Sequence, residues 1–261
     1  KKILCLGHAS YDITIPMDKY PTENIKYRVL NRIECGGGPA SNAAYLLGKW
    51  GMNTYFSGVL GNDIYGKRIK KEFESVGVDT RYIELSKKYK TTNSFIIVNK
   101  KNASRTIFAY RDKSMKMENT NIRIKPDYAL FDGEDFEIAT KVIKNNPDCI
   151  TILDAGRAKY STIKLGKMVN YLVASKNFAE DFTGVKINYK DYNSLVKVYN
   201  LLEKDFTANI VITLESHGCL YKIDGKVKIM PGYKVNAIDT TGAGDIFHGA
   251  FVYALAKGYS Y

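Results

Sequence analysis

Short apolar runs and helical patterns alternate along most of the chain. Apolar runs typical of strands buried on both faces occupy residues 3–6, 54–59, 128–131, 150–153 and 209–214. Apolar residues recur every three or four positions in five other segments, which predicts helices over 40–50, 64–76, 136–144, 191–203 and 243–257. This alternation predicts an α/β fold with a mostly parallel central sheet and helices on both faces.

Two stretches depart from this alternation. Residues from about 10 to 35 and from about 89 to 112 have strand-like patterns with no helix between their runs. The second stretch contains a hairpin signal, in which FIIV and RTIFAY flank the turn residues NKKNAS. We therefore expect a small β-sheet, inserted in two pieces, that projects from the α/β body.

Composition excludes several classes of protein. The chain has 261 residues, of which 45% are apolar and 25% charged, so disordered, collagen-like and disulfide-scaffold classes are excluded. The 39 Lys+Arg exceed the 27 Asp+Glu, giving a net charge of +12. The lysines are scattered doublets without an arginine-rich arm, so we expect no nucleic-acid partner. A positive field also attracts anionic nucleotides.

The cysteines and the N-terminus bear on localisation. Cys5, Cys35, Cys149 and Cys219 are far apart and form no CxxC pair, which indicates a reducing, cytoplasmic environment. The first apolar run ends at Gly7 and is too short for a membrane span or a signal-peptide core. We therefore expect no membrane partner.

Two glycine-rich stretches resemble phosphate-binding loops. Residues 61–68 nearly match the P-loop pattern, but Arg68 stands where a Ser or Thr hydroxyl would hold Mg²⁺. A guanidinium has only donors and repels the ion, so we exclude a P-loop. Residues 36–38 are three glycines between a strand pattern and a helix. They indicate either a tight connection or a close approach of backbone to a ligand.

The most informative stretch is DTTGAGD, residues 239–245, directly before a predicted helix. Glycines at a helix start leave N–H groups pointing outward at its positive end, which is an anion site. The amides of Gly242, Ala243 and Gly244 would position a phosphoryl group, while Asp245 accepts the proton of an attacking hydroxyl. The structural alternative is that Asp245 is only the N-cap of the helix.

Two longer stretches now carry a family resemblance. GGGPASNAAYLLGKWG and DTTGAGDIFHGAF resemble the two signatures of the ribokinase-like (PfkB-type) carbohydrate kinases. GNDIYGKRIKKEFESVGVDT, NFAE and VITLESHGCLY are similar to intermediate segments of that family, so the resemblance covers nearly the whole chain. It implies one ribokinase-like domain over 1–261, in which the small sheet is a lid that closes over a sugar and pairs in a homodimer.

The resemblance also assigns roles around the phosphoryl group. It implies that Asp245 is the catalytic base and that Gly242 to Gly244 form the anion hole. Sugar hydroxyls would be bound by four residues near the N-terminus. These are Asp12, Gly37, Gly38 and Asn42.

The residues that would contact ATP and its metal ions are assigned by resemblance alone. Thr213, Ser216 and Gly218 match a turn that contacts ATP. Asn177 and Glu180 match the NxxE element that organises Mg²⁺ and its waters; a capping Asn with a first-turn Glu is the alternative. Asp239 matches a position that binds K⁺ in potassium-activated members, or it only braces the loop. Family members continue past the position of Tyr261, so adenine contacts are not assigned.

The implied activity is transfer of the γ-phosphate of ATP to a hydroxyl of a fructose-like or ribose-like monosaccharide. A nucleoside kinase and a sugar-phosphate kinase of the same family are the alternatives. Arg105, Arg111 and Arg157 would either contact an anionic acceptor or form surface ion pairs. A non-catalytic, basic protein associated with nucleic acid is the alternative from a different class.

Overall fold

The computed structural model describes residues 1–102, 104–119, 121–237 and 239–259. The strands are β1 Lys2–Leu6, β2 Ser10–Met17, β3 Ile33–Gly37, β4 Asn53–Gly61, β5 Asp79–Ser86, β6 Asn93–Asn99, β7 Ser104–Tyr110, β8 Tyr128–Phe131, β9 Ile150–Ala155, β10 Tyr171–Ser175, β11 Asn209–Thr213, β12 Cys219–Ile223 and β13 Lys226–Met230. The helices are α1 Pro39–Lys49, α2 Ile64–Ser75, α3 Phe136–Asn145, α4 Tyr160–Gly166, α5 Lys176–Thr183, α6 Tyr192–Asp205 and α7 Ala243–Ala256.

The large sheet confirms the predicted α/β fold. Its nine strands run in the order β13-β12-β11-β10-β9-β8-β1-β4-β5. The strands from β11 to β5 pair in parallel, and β12 and β13 join in antiparallel fashion at one edge. Parallel strands end at the same edge of a sheet, so loops after β1, β8 and β9 lie side by side.

Both faces of the large sheet are buried. In β1, Leu4 and Leu6 belong to one hydrophobic cluster, and Ile3 and Cys5 belong to the other. All four side chains have an exposed fraction of 0%. A strand covered on both faces needs apolar residues at every position, which is why this strand is a continuous apolar run in the sequence.

A second, smaller sheet has the order β3-β2-β6-β7. The predicted hairpin is confirmed, since β6 and β7 pair antiparallel from Asn93 opposite Tyr110 to Asn99 opposite Ser104. β2 pairs in parallel with β6. A parallel pair requires a long crossover, and here that crossover contains β3 of the small sheet, followed by α1, β4, α2 and β5 of the α/β body. The sheet is therefore built from two separated stretches, as predicted.

Three kinds of element differ from the sequence expectation. β5 was not predicted because it is an edge strand with mixed polar residues. β10 was also not predicted, although its five residues make it as long as the runs that were. The seven-residue α4 is too short for a helical period to be visible. β11 ends at Thr213, one residue before the predicted end, because Leu214 already belongs to the following turn.

Across the described ranges, each helix is too short or too polar to span a membrane.

Candidate active site

The start of α7 is open at Gly244. Gly242, the N-cap, has a φ of 74°, a left-handed conformation that favours glycine. A methyl group added to Gly244 would meet no heavy atom within 4 Å. The amide of Ala243 differs, because it donates a 3.3 Å hydrogen bond to the carbonyl of Thr240. The positive end of this helix therefore faces free space at Gly244.

The carboxylate of Asp245 lies in the first turn of α7 and is not its N-cap. The alternative that Asp245 serves as the cap is therefore wrong, since Gly242 occupies that position. The side-chain amide of Asn42 donates a 2.7 Å hydrogen bond to Oδ2 of Asp245. Burial raises the pKa of Asp245, while Asn42, His248 and Arg105 oppose the rise. A carboxylate with a raised pKa is a better proton acceptor than one in water.

Asp12 lies near Asp245, whose charge raises the pKa of Asp12. Burial raises the pKa of Asp12, and hydrogen bonds from Ser10 and Ser94 lower it; the Ser10 bond is 3.0 Å long. Gly37 packs directly against this carboxylate, because an added methyl group would overlap with Oδ2 of Asp12. The structure thus brings Asp12, Gly37, Asn42 and Asp245 together.

Gly38 has a structural role that the sequence left open. It precedes α1 with a φ of 101°, and an added methyl group would lie 2.6 Å from the carbonyl oxygen of His8. The tight-connection alternative therefore accounts for this glycine.

Asp132 is a site residue that sequence analysis missed. Its Oδ2 accepts hydrogen bonds from the amides of His8 at 2.7 Å and Ala40 at 3.3 Å, and its Oδ1 from Glu134 at 3.1 Å. Burial raises the pKa of Asp132 to about 7. The available signal was an acidic residue directly after the buried strand β8.

A cavity of about 290 Å³ lies where β1 and β8 end, lined by Gly7, His8, Arg111, Met117, Glu134 and Phe136 among others. Arg111 and Glu134 form a 2.6 Å ion pair in it. Burial, followed by the charge of Arg111, lowers the pKa of His8 to about 4, so His8 is neutral at physiological pH. Arg111 and Glu134 therefore offset each other's charge in the cavity wall.

The other two arginines that could contact an anionic acceptor, Arg105 and Arg157, also have partners within the protein. Arg157 pairs with Asp181 at 2.7 Å. Arg105, on β7 of the small sheet, donates a 3.0 Å hydrogen bond from Nη1 to Oγ1 of Thr240. This bond joins the small sheet to the loop that precedes α7.

The residues assigned to the nucleotide lie around the end of β11. Thr213 ends that strand and donates to the carbonyl of Ala174 at 3.4 Å, while Ser216 lies in the exposed turn Glu215–His217. Gly218 has a φ of 91°, and an added methyl group would overlap with the carbonyl of Met230. Close packing of two backbone segments therefore suffices to explain this glycine.

The NxxE element lies in the first turns of α5. Ser175 caps that helix by accepting from the amide of Phe178 at 3.0 Å, so Asn177 is not a cap, and it is exposed. Glu180 is buried, and its oxygens accept from Lys186 Nζ at 2.7 Å and from the amide of Ile187 at 2.9 Å. The hydrogen bond from Lys186 lowers the pKa of Glu180.

The last candidate for ion binding is Asp239. Its Oδ1 accepts a 2.8 Å hydrogen bond from the amide of Thr241, so it braces the loop as the alternative states. Over the part of the chain that is described, no three His, Cys, Asp or Glu side chains come together as a direct metal site. Contacts to magnesium through water are compatible with this arrangement.

In residues 61–68, where the sequence excludes a P-loop, a side chain of the protein occupies the helix start. Asp63 caps α2 by accepting from the amide of Gly66 at 2.9 Å, and it also accepts from the amide of Thr91 at 2.8 Å. The hydroxyl of Thr91 donates to Asp63 as well, at 2.7 Å. These bonds occupy the helix start where a phosphate would bind in a true P-loop.

Fold and site together define a class of protein, namely an α/β phosphotransferase in which a small sheet adjoins an open helix start beside a carboxylate. A family model described as pfkB family carbohydrate kinase matches residues 1–261. The chain belongs to this family and is a carbohydrate kinase, a phosphotransferase with an alcohol group as acceptor.

Individual relatives place the chain among the ribokinase-like members. It is 28% identical to a ribokinase of Haemophilus influenzae, over 98% of this chain and 86% of the relative. It is 25% identical to a nucleoside kinase of Methanocaldococcus jannaschii, over 99% of this chain and 85% of the relative. The crystal structure of Arabidopsis thaliana ribokinase complexed with ribose and ATP has the same fold, with a TM-score of 0.75, 21% identity and coverage of 99% and 86%.

Proposed function

We propose that this chain transfers the γ-phosphoryl group of ATP to a hydroxyl of a neutral monosaccharide. One observation carries the proposal: Asp245, held by Asn42, lies in the first turn of a helix whose start is open at Gly244. A proton acceptor and an anion site thus occupy one helix start. Phosphoryl transfer needs mainly these two features and correct alignment.

In the proposed reaction, the acceptor hydroxyl attacks the γ-phosphorus while Asp245 takes the hydroxyl proton. A new phosphorus–oxygen bond forms to the sugar, the bond to the β-phosphate oxygen breaks, and ADP leaves. The amides of Gly242, Ala243 and Gly244 face the charge on the transferring group. Because Ala243 also donates to Thr240, Gly242 and Gly244 are the less committed donors.

The acceptor would lie between the carboxylates of Asp12 and Asp245. Asp12 can accept from two hydroxyls, and Asn42 can contact the hydroxyl that reacts because it already touches the base. Gly37 and Gly38 shape the wall beside Asp12. The ion pairs of Arg111 with Glu134 and of Arg157 with Asp181 favour a neutral sugar over a sugar phosphate.

The nucleotide would extend from Gly244 toward Thr213, Ser216 and Gly218. Mg²⁺ supplies charge neutralisation to the phosphates when it is bound. Asn177 is exposed and suits contact through water, whereas both oxygens of Glu180 already have protein donors. Asp239 would add a site for K⁺ through its other carboxylate oxygen, since only Oδ1 accepts from Thr241.

The small sheet would act as the lid over the acceptor and as a dimer contact. Phe95 and Phe108, which lie opposite each other on β6 and β7 and share one face, are 47% and 57% exposed. Apolar side chains exposed together on a sheet favour pairing with another such surface. A cytoplasmic location stays a prediction from the cysteine pattern.

A nucleoside kinase is the second candidate, and the Methanocaldococcus jannaschii relative supports it. Both candidates use the same base and anion site, so the acceptor decides between them. A panel of hexoses, pentoses, their phosphates and nucleosides, assayed by coupled ADP release, identifies the acceptor. We expect a neutral pentose or hexose to give the highest kcat/KM; a nucleoside with the highest value would support the second candidate.

The role of the base is tested in the same assay. Asp245→Asn should lower kcat by at least about 100-fold, since a general base contributes that much. Glu203→Gln, at a carboxylate that pairs with Lys222 far from α7, is the matched control. Undiminished turnover of a folded Asp245→Asn variant would refute the proposal. Salt-dependent binding to nucleic acid without any kinase activity would support the class of basic binding proteins instead.

A further inference from the structure

A histidine lies directly beneath the proposed anion site. His248 follows Gly244 by one turn of α7 and is 4% exposed. Its Nδ1 is 2.6 Å from the carbonyl oxygen of Gly244, and its Nε2 is 3.1 Å from the carbonyl oxygen of Val173 on β10. Both ring nitrogens thus face carbonyl oxygens, which can only accept hydrogen bonds.

Only one protonation state of the ring lets both of its nitrogens donate to these two carbonyl oxygens. A neutral imidazole carries one N–H, so one of its nitrogens would place a lone pair against a carbonyl oxygen. Only the doubly protonated ring donates to both.

Asp154, at the end of β9, supplies the opposite charge. Its Oδ2 is 3.1 Å from Nδ1 of His248, and both side chains are buried. In the described part of the chain, this oxygen has no hydrogen bond of good geometry. A buried carboxylate without a counter-charge is costly, so the charged ring compensates it. Burial raises the pKa of Asp154, and the charge of His248 lowers it.

The ring is linked to the proposed base through one peptide group. The carbonyl that His248 contacts belongs to Gly244, and the N–H of that peptide belongs to Asp245. This N–H donates to the carboxylate of Asp245 itself. A ring that holds the carbonyl end of the peptide therefore also orients the N–H end and the carboxylate it contacts.

We propose that His248 is a positioning residue for phosphoryl transfer, which as an imidazolium fixes the Gly244–Asp245 peptide and places a positive charge beneath the anion site. The inference rests on the proposed function. Other charged groups act on Asp245 from neighbouring elements: Asp154 from β9, Asp12 from β2 and Arg105 from β7. Two of these three are acidic, so His248 offsets their repulsion of Asp245.

The charge of the ring is measured without any assay of activity. In protein labelled with ¹⁵N-histidine, two-dimensional NMR distinguishes an imidazolium from each neutral tautomer. His8→Gln and His217→Gln variants assign the remaining signal to His248. We expect the imidazolium pattern for His248 at neutral pH, and a neutral ring there would overturn the inference.

Two neutral variants test the positioning role. Asparagine at 248 keeps a donor near the position of Nδ1, and glutamine keeps one near Nε2. We expect both His248→Asn and His248→Gln to move the acid limb of kcat/KM to higher pH, because loss of a nearby cation raises the pKa of Asp245. His248→Gln should lose about 10- to 100-fold in kcat with little change in KM, and His248→Asn less, since it keeps the donor to Gly244.

The outcomes separate this inference from the proposed function. Wild-type kcat and an unmoved acid limb in both folded variants would overturn the inference while the kinase proposal stands. Lack of turnover by the wild-type chain on every acceptor would instead contradict the proposed function. If neither variant folds, the NMR result for the wild-type chain still decides the charge on which the inference depends.

Discussion

Asn42 and Asp245 are 203 positions apart in sequence, and the amide of the first donates to the carboxylate of the second at 2.7 Å. The bond crosses the contact between α1 and α7, where Gly249 packs so closely on Ala43 that a methyl group would lie 3.1 Å from its Cα. Each of the two family signatures thus contributes one partner. The contact joins the acceptor side of the site to the phosphoryl-transfer side.

Replacing Asn42 with alanine should shift the pH dependence of the reaction. The amide stabilises the ionised carboxylate, so its loss raises the pKa of Asp245 further. The acid limb of kcat/KM should move to higher pH, and kcat/KM at neutral pH should fall by about 10-fold. Asn200→Ala, at an exposed position of α6, is the control. An unmoved acid limb in the Asn42 variant would show that the bond does not tune the base.

The parts of the fold that follow from local periodicity could be predicted from sequence. The buried strands other than β10, and the longer helices, were found because their apolar spacing is set by burial. Edge strand β5 and the seven-residue α4 were missed because neither is long or apolar enough to show a period. Asp245, Asp12 and Asn42 were named from sequence motifs, and the structure brings them together.

Other site residues depend on contacts between distant segments. Asp132, Asp154 and His248 each meet their partners only after the sheet has formed. The two aspartates have one sequence signal, an acidic residue near the end of a buried strand, as at Asp154, or directly after one, as at Asp132. That signal marks the position but not the partner.

Arg105 should act as a link between the small sheet and the loop before α7. Arg105→Ala removes the bond to Thr240, so the KM for the acceptor should rise several-fold as closure of the lid weakens. An exposed contact contributes little stability, so the free energy of unfolding should stay within about 0.5 kcal/mol of wild type. Arg81→Ala, whose partner Asp79 is two residues away, is the control.

Thr240→Val tests the same contact from the other side. If the hydrogen bond is what matters, the double variant should have the KM of either single variant. Additive increases in KM would show that Arg105 and Thr240 act separately.

Asp63 should be a major stabilising residue, although it binds no phosphate. Burial opposes its ionisation, but hydrogen bonds from Gly66 and Thr91 outweigh this effect and lower its pKa. Asp63→Ala should therefore lower the free energy of unfolding by about 2–3 kcal/mol at neutral pH. Asp191→Ala removes a single exposed capping bond and should lose only about 1 kcal/mol.

The effect of Asp63 should also depend on pH in a defined direction. A carboxylate whose pKa is lowered by folding stabilises the protein above its unfolded pKa of about 3.9, and the contribution is lost as pH falls through the folded value. The difference between wild type and Asp63→Ala in urea unfolding should therefore shrink below pH of about 4. A difference that stays constant into that range would contradict the assignment of the charged form.

Gly244 and Gly218 give the sharpest test of what the glycines do. At Gly244 an added methyl group meets nothing within 4 Å, so Gly244→Ala should leave stability unchanged or raise it by up to about 1 kcal/mol, as expected inside a helix. The same methyl group would occupy the space proposed for the γ-phosphate, so kcat/KM for ATP should fall by at least about 10-fold.

At Gly218 the φ of 91° and the carbonyl of Met230 leave no room, so Gly218→Ala should destabilise the protein. Thermal unfolding and ADP release measured on both variants separate the two roles. If Gly244→Ala kept full activity, the open space at the start of α7 would not be the phosphate site, and the proposed anion hole would have to be abandoned.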